Sequence, residues 1–194
     1  RAYEAAAKAA GVEPQILSGA AQFEPVTTIS GAVAQGADVG VDAGLATLGP
    51  DVIGLRNLNL YGLKGVCAYA HHAHALGYRT DETDAGIESA LAFLAAGPVD
   101  ADALLAHALE LGSLNYAVMA MLDAANTGSF GSPVPTPVRV TPVVGKANLV
   151  SGHDLHDLAR ILEATDGTGI NVYTHGEMLP AHGYPELHKY AHLA

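Results

Sequence analysis

The sequence contains one cysteine, Cys67, and no tryptophan among its 194 residues. A single cysteine excludes an internal disulfide framework and a metal site built only from cysteines of this chain. Basic residues are also few, because 9 Lys and Arg stand against 20 Asp and Glu, which gives a formal net charge of −11. This acidic balance argues against nucleic acid and anionic membrane surfaces as partners.

Long apolar runs are missing as well. None approaches the roughly 20 residues that a membrane-spanning helix needs, and the first ten residues lack the apolar region of a signal peptide. With 49% hydrophobic and 15% charged residues, the composition is that of a globular protein, and we expect it to be cytoplasmic. Because the chain begins at Arg1 rather than Met and stops at Ala194, we expect it to be a piece of a longer protein.

Helical patterns dominate the first two thirds of the chain. Apolar residues recur at three- and four-residue steps between capping residues and glycines, which predicts helices. The predicted helices cover residues 1–10, 51–76, 81 or 83 to about 96, and 100–125. Short helices and loops are expected over the glycine-rich residues 14–49. Short connections between the later three helices predict an antiparallel helical bundle domain over residues 1–127.

The composition changes at residue 127. Residues 128–137 are rich in proline and glycine, which is incompatible with a regular helix, so residues 128–142 are interpreted as a domain junction. Residues 147–150 and 170–173 are apolar strand candidates, and residues 154–164 between them have helical spacing. This order predicts the strand–helix–strand start of a parallel, Rossmann-like α/β domain over residues 143–194. The predicted fold class is therefore α plus α/β.

Two polar residues with metal-binding chemistry follow the predicted strands. His153 comes after the first strand and Glu177 after the second. The carboxyl ends of parallel strands meet at one edge of a sheet, so both side chains are expected at that edge. An imidazole and a carboxylate together can bind a transition metal such as iron. The alternative interpretation of His153 is a helix cap or a structural hydrogen-bonding group.

Four other histidines and the cysteine are weaker candidates for a functional role. His175 and His182 flank Glu177, so they either orient its carboxylate or pack the loop. His71 and His74 share a helix face, where a polar surface is favoured over a metal site. Cys67, surrounded by small residues, is interpreted as a buried and unreactive thiol. The sequence has no dinucleotide fingerprint, phosphate loop or serine elbow.

Three stretches of the chain resemble the hybrid cluster proteins, which are also called the prismane or hydroxylamine reductase family. The stretches are Tyr61-Gly-Leu-Lys-Gly65 with Ala68-Tyr69-Ala70, then Leu149-Val-Ser-Gly-His-Asp-Leu155, and Gly169-Ile-Asn-Val-Tyr-Thr-His-Gly-Glu-Met-Leu-Pro-Ala-His-Gly-Tyr-Pro185. The last stretch is long and specific. The resemblance runs from about residue 45 to the end.

The resemblance implies a cytoplasmic redox enzyme with two metal centres. One is an iron–sulfur cubane, and the other is a hybrid iron–sulfur–oxygen cluster held by one histidine, two glutamates and several cysteines. By motif position, His153 matches the histidine ligand and Glu177 the first glutamate ligand. The implied reaction is the reduction of hydroxylamine to ammonia, or of nitric oxide in nitrosative defence, with electrons from a redox donor.

The sequence departs from the family pattern in its cysteines. The cysteine cluster that holds the cubane, the downstream cysteines and the second glutamate are not present, and Cys67 matches none of them. A thiolate-rich cluster cannot be built from His153 and Glu177 alone. We therefore expect this piece by itself to bind no complete cluster and to be inactive, and we expect the rest of the parent chain to be one of its partners.

Two other interpretations stay open. One is a metal-dependent hydrolase that uses His153, Glu177 and a third ligand such as His182 around zinc. The other is a non-catalytic structural or interaction module.

Overall fold

The computed structural model describes residues 2–14 and 24–194. Helices make up 63% of the structure and a small parallel sheet of two strands completes it. In chain order the elements are α1 (Ala2–Ala9), α2 (Ile29–Asp38), α3 (Leu45–Ala75), α4 (Asp81–Ala95), α5 (Ala101–Phe130), β1 (Lys146–Ser151), α6 (Leu155–Thr165), β2 (Ile170–His175), a 3₁₀ helix (Gly176–Gly183) and α7 (Pro185–His188). The coarse expectation of helices followed by strand–helix–strand is confirmed.

The chain divides into two compact units, residues 1–47 and 48–194. In the first unit, α1 ends one residue before the predicted end at residue 10. The second helix, α2, begins after Thr28, whose hydroxyl accepts a hydrogen bond from the Gly31 N–H. No residue of α2 is buried. The expectation of short helices over residues 14–49 is met by α2, while residues 15–23 lie outside the described part.

In the second unit, α3, α4 and α5 share apolar cores. Their buried members include Leu63, Val66, Ala70, Ala90, Leu111 and Val118. A Cβ at Gly86 would meet the Leu114 side chain, while Thr83 contacts Met121 and Phe93 stacks on His107. The residue numbers of these pairs rise on α4 as they fall on α5, so these two helices run in opposite directions.

The start of α3 differs from the prediction. The prediction starts this helix at Asp51, but helical residues already begin at Leu45, and non-helical backbone at Gly49 (φ 79°) interrupts them. Pro50 follows Gly49 directly and stands in the first turn of the continuing helix. A proline is tolerated there because the first turn has no intrahelical partner for a backbone N–H.

The end of α5 corrects a second prediction. Residues 128–130 were expected to be non-helical, but α5 continues through Phe130 and ends at Gly131 (φ 84°). The helix persists because Phe130 is buried in the same core as Leu158 and Val172. The prolines that exclude helix begin only at Pro133.

The strand–helix–strand segment is built by parallel pairing of β1 and β2, in register from Lys146 opposite Ile170 to Ser151 opposite His175. Asp154 caps α6, since its carboxylate accepts hydrogen bonds from the backbone N–H groups of His156 and Asp157. Leu158 and Leu162 of α6 are fully buried against Val172 of β2. Among the described residues, no helix is both long and apolar enough to cross a membrane.

Candidate metal centre

The two strands end side by side, and this sets the position of the site. Ser151 and His175 form the last pair of the sheet, and a hydrogen-bonding contact of 3.1 Å joins Ser151 Oγ to His175 Nδ1. Each strand is followed by a glycine with positive φ, Gly152 at 136° and Gly176 at 57°. Both connections therefore turn away from the same edge of the sheet, as expected for parallel strands.

His153 and Glu177 lie directly after these glycines, and their side chains meet. His153 Nε2 and Glu177 Oε2 are in direct contact. Both side chains remain accessible, with exposed fractions of 48% and 73%. The structure therefore brings together the two residues that the sequence predicts at this edge.

The donor atoms of His153 and Glu177 are of types that iron binds, but they are only two. Imidazole nitrogen and carboxylate oxygen are ligands of non-thiolate iron sites. In residues 2–14 and 24–194, however, no group of three or more His, Cys, Asp or Glu side chains is arranged to hold a metal ion. His153 and Glu177 therefore offer two donor atoms of suitable type, and no third such side chain joins them within the described ranges.

Tyr69 of α3 is a further residue at the site. Its ring meets the His153 ring edge to face, with centroids 6.3 Å apart and planes at 81°. The sequence placed Tyr69 only within the helix predicted over residues 51–76 and within a family-like stretch. Its contact with His153 depends on how α3 packs against the strand ends, which periodicity does not reveal.

His175 and His182 do not contact Glu177 through any hydrogen bond found in the described residues. His175 bonds to Ser151, while His182 Nε2 lies 2.9 Å from Thr174 Oγ1. His182 is buried, and this burial lowers its pKa, with a smaller contribution from the charge of His188. His182 therefore forms no three-ligand group with His153 and Glu177, and the zinc site considered for a hydrolase is not assembled in this part of the chain.

Three further residues of metal-binding types, Cys67, His72 and His74, lie on α3. His74 Nε2 is 3.6 Å from Asp84 Oδ1, and the His72 ring contacts Tyr69. Cys67 is partly buried against the apolar core of α3, α4 and α5, and this burial raises the pKa of its thiol. A raised pKa leaves little thiolate, which is the nucleophilic and metal-binding form.

Comparison with known proteins identifies the family. The model of the Prismane/CO dehydrogenase family matches residues 1–194. This chain belongs to the Prismane/CO dehydrogenase family. Among curated members, the hydroxylamine reductase of Burkholderia ambifaria (strain MC40-6) is 61% identical over 193 residues, which is 100% of this chain and 35% of that protein. That of Acidiphilium cryptum (strain JF-5) is 59% identical over 193 residues, again 100% of this chain and 35% of that protein.

More distant prismane relatives match over nearly the same span. The hydroxylamine reductase of Rhodospirillum rubrum is 49% identical over 191 residues, covering 98% of this chain and 35% of that protein. The chain spans about a third of the length of the curated relatives that it matches. The family resemblance inferred from the three motif stretches is confirmed.

Proposed function

We propose that this chain supplies His153 and Glu177 as two ligands of a hybrid iron–sulfur–oxygen cluster in an oxidoreductase that reduces hydroxylamine to ammonia. The observation that carries the proposal is the contact between His153 Nε2 and Glu177 Oε2 at the carboxyl ends of β1 and β2. Relatives named hydroxylamine reductase, 49–61% identical over almost the whole chain, support the reaction.

In this proposal the protein residues have distinct tasks. The cluster, when bound, supplies electron transfer and iron positions open to a small nitrogen substrate. His153 gives a neutral nitrogen donor and Glu177 an oxygen donor, which makes the iron site less thiolate-rich. The backbone pairing of β1 with β2 keeps the two donors at the same edge, and the bond between Ser151 and His175 adds a side-chain link between the strand ends.

The rest of the proposal concerns the whole protein. An iron–sulfur cubane with ligands outside this chain would pass electrons from a redox donor, and the enzyme would be cytoplasmic, as the family resemblance implies. Nitric oxide is the second candidate substrate. The helices of residues 1–127 would form part of a bundle domain, and residues 143–194 the start of a Rossmann-like domain, joined through residues 128–142.

Substitution of the two ligands in the full-length protein tests the proposal. We expect His153→Ala and Glu177→Ala to remove the spectroscopic signal of the hybrid cluster and to lower hydroxylamine reduction by more than the roughly 10–100-fold typical of outer-shell changes. His156→Ala and Glu163→Ala, on neighbouring α6, are matched controls that should keep both. Wild-type cluster content in both ligand variants would refute the assignment.

The same proposal makes this chain incomplete by itself. Cys67 is its only thiol, and a thiolate-rich cluster needs more cysteines. Anaerobic reconstitution of the isolated 194 residues should therefore yield neither a full complement of iron and acid-labile sulfide nor hydroxylamine reduction. A complete cluster would overturn this part of the proposal.

A further inference from the structure

Tyr69 is held in place by the helical core while its ring reaches the candidate site. The side chain packs against two apolar clusters, one around Leu63 and Val118 and the other around Ala73 and Met121. Its ring meets the His153 ring edge to face, at 6.3 Å between centroids and 81° between planes. This geometry is one that aromatic pairs prefer, because the positive ring edge faces the negative ring face.

His153 itself has few other constraints. It follows Gly152, where a Cβ atom would meet nothing within 4 Å, and about half of its side chain is exposed. Over the described ranges, no hydrogen bond to His153 Nδ1 is found. Histidine ligands of metals usually fix their ring through a hydrogen bond from the second ring nitrogen to a carboxylate, carbonyl or water. Among the described residues, the His153 ring is instead restrained by two contacts, that of Nε2 with Glu177 and the edge-to-face packing of Tyr69.

We propose that Tyr69 is a positioning residue, which orients the His153 imidazole by edge-to-face packing so that Nε2 points at Glu177. The inference rests on the proposed role of His153 as a cluster ligand. It requires the aromatic ring of residue 69 and not its hydroxyl. It also makes the helical part of the chain responsible for the geometry of a site that is built on the strand ends.

The test uses the full-length protein with the hybrid cluster assembled. Tyr69→Leu removes the ring, Tyr69→Phe keeps it, and Tyr61→Leu removes an exposed tyrosine of the same helix. The readouts are the spectrum of the hybrid cluster and its rate of loss to an iron chelator, with the cubane spectrum as an internal measure of folding. We expect Tyr69→Leu to lose hybrid-cluster iron about tenfold faster, as outer-shell changes do, and to shift the spectrum. Tyr69→Phe and Tyr61→Leu should match the wild type.

The outcomes separate this inference from the proposed function. If Tyr69→Leu and Tyr69→Phe both behave as wild type while His153→Ala loses the cluster, the positioning role of Tyr69 is wrong and the ligand assignment stands. If His153→Ala keeps the hybrid cluster, the proposed function fails first. If Tyr69→Leu also lowers the cubane content, Tyr69→Met is measured instead, because its flexible side chain fills the same core space without a ring. A wild-type chelation rate in Tyr69→Met then overturns the inference.

Discussion

Asn59 of α3 and His107 of α5 are joined in the helical core, with 2.7 Å between Asn59 Oδ1 and His107 Nδ1. The Asn59 amide nitrogen donates to the carbonyl oxygens of Leu55 and Leu104, at 2.9 and 3.0 Å. The amide oxygen must therefore accept, so His107 Nδ1 carries the proton. His107 also stacks on Phe93 of α4, with centroids 3.9 Å apart, so this polar cluster connects all three helices.

Removal of this amide should destabilise the protein. Asn59→Ala leaves the buried His107 N–H without its acceptor, which costs about 1–3 kcal/mol of unfolding free energy. Denaturant unfolding of wild type and variant measures the difference. The control is Asn115→Ala, since Asn115 is exposed on α5 and should change stability by less than about 0.5 kcal/mol. Equal stability of the two variants would contradict this role of Asn59.

Gly131 should be far less tolerant of a side chain than a glycine within a helix. Its φ of 84° and ψ of 163° end α5, and a Cβ atom would lie 3.2 Å from Pro185 Cδ. Gly131→Ala is therefore expected to cost about 1–3 kcal/mol. Gly54→Ala, inside α3 with nothing within 4 Å of its Cβ position, should instead gain up to about 1 kcal/mol from helix propensity. Thermal unfolding of both variants tests whether the changes have opposite signs.

His182 should make stability depend on pH below neutrality. Burial lowers its pKa from 6.5 in the folded state, so below about pH 6.5 the unfolded chain binds a proton that the folded chain does not. Its contribution to stability is therefore complete at higher pH and is lost as the pH falls below that value. His182→Gln removes the titration while offering Thr174 a hydrogen-bonding partner. The stability difference between about pH 7.5 and 5.5 should be smaller in the variant, and an identical difference would contradict the prediction.

Cys67 should react slowly with alkylating reagents. Burial raises the pKa of its thiol above 9.0, which reduces the thiolate fraction that reacts at neutral pH. Because the 194-residue chain has one cysteine, its alkylation rate can be followed without ambiguity. The folded chain should react at least several-fold more slowly than the same chain in guanidinium chloride. Equal rates would mean that the packing around α3 is not formed.

The sequence predicted the order of elements well where periodicity and caps agree. The helix predicted over residues 154–164 is α6, within one residue at each end, and the two strands pair in parallel as expected. The predictions failed where tertiary contacts override local preference. Phe130 extends α5 through residues that would favour a loop, because its burial against Leu158 and Val172 stabilises the last turn.

At the candidate site too, one contact could be predicted from the sequence and others could not. The approach of His153 to Glu177 was predictable, since both follow parallel strands joined by one helix. The contact of Tyr69 with His153 was not, because nothing in the periodicity of α3 specifies which turn of the helix lies beside the strand ends. The pairing of His175 with Ser151 also depends on the strand register, which the sequence alone left open.

The two strands have different surroundings. On β2, the Val172 N–H donates to the His192 carbonyl and the Val172 carbonyl accepts from the Ala194 N–H, so its outer side is partly occupied. Within the described ranges, β1 pairs with β2 alone, and Leu149 is 70% exposed. Parallel strands are normally covered on both faces, and an open edge templates pairing with another chain. The isolated chain is therefore expected to self-associate through β1 at high protein concentration. Low protein concentration, mild detergent or a solubility-enhancing fusion partner would reduce this association.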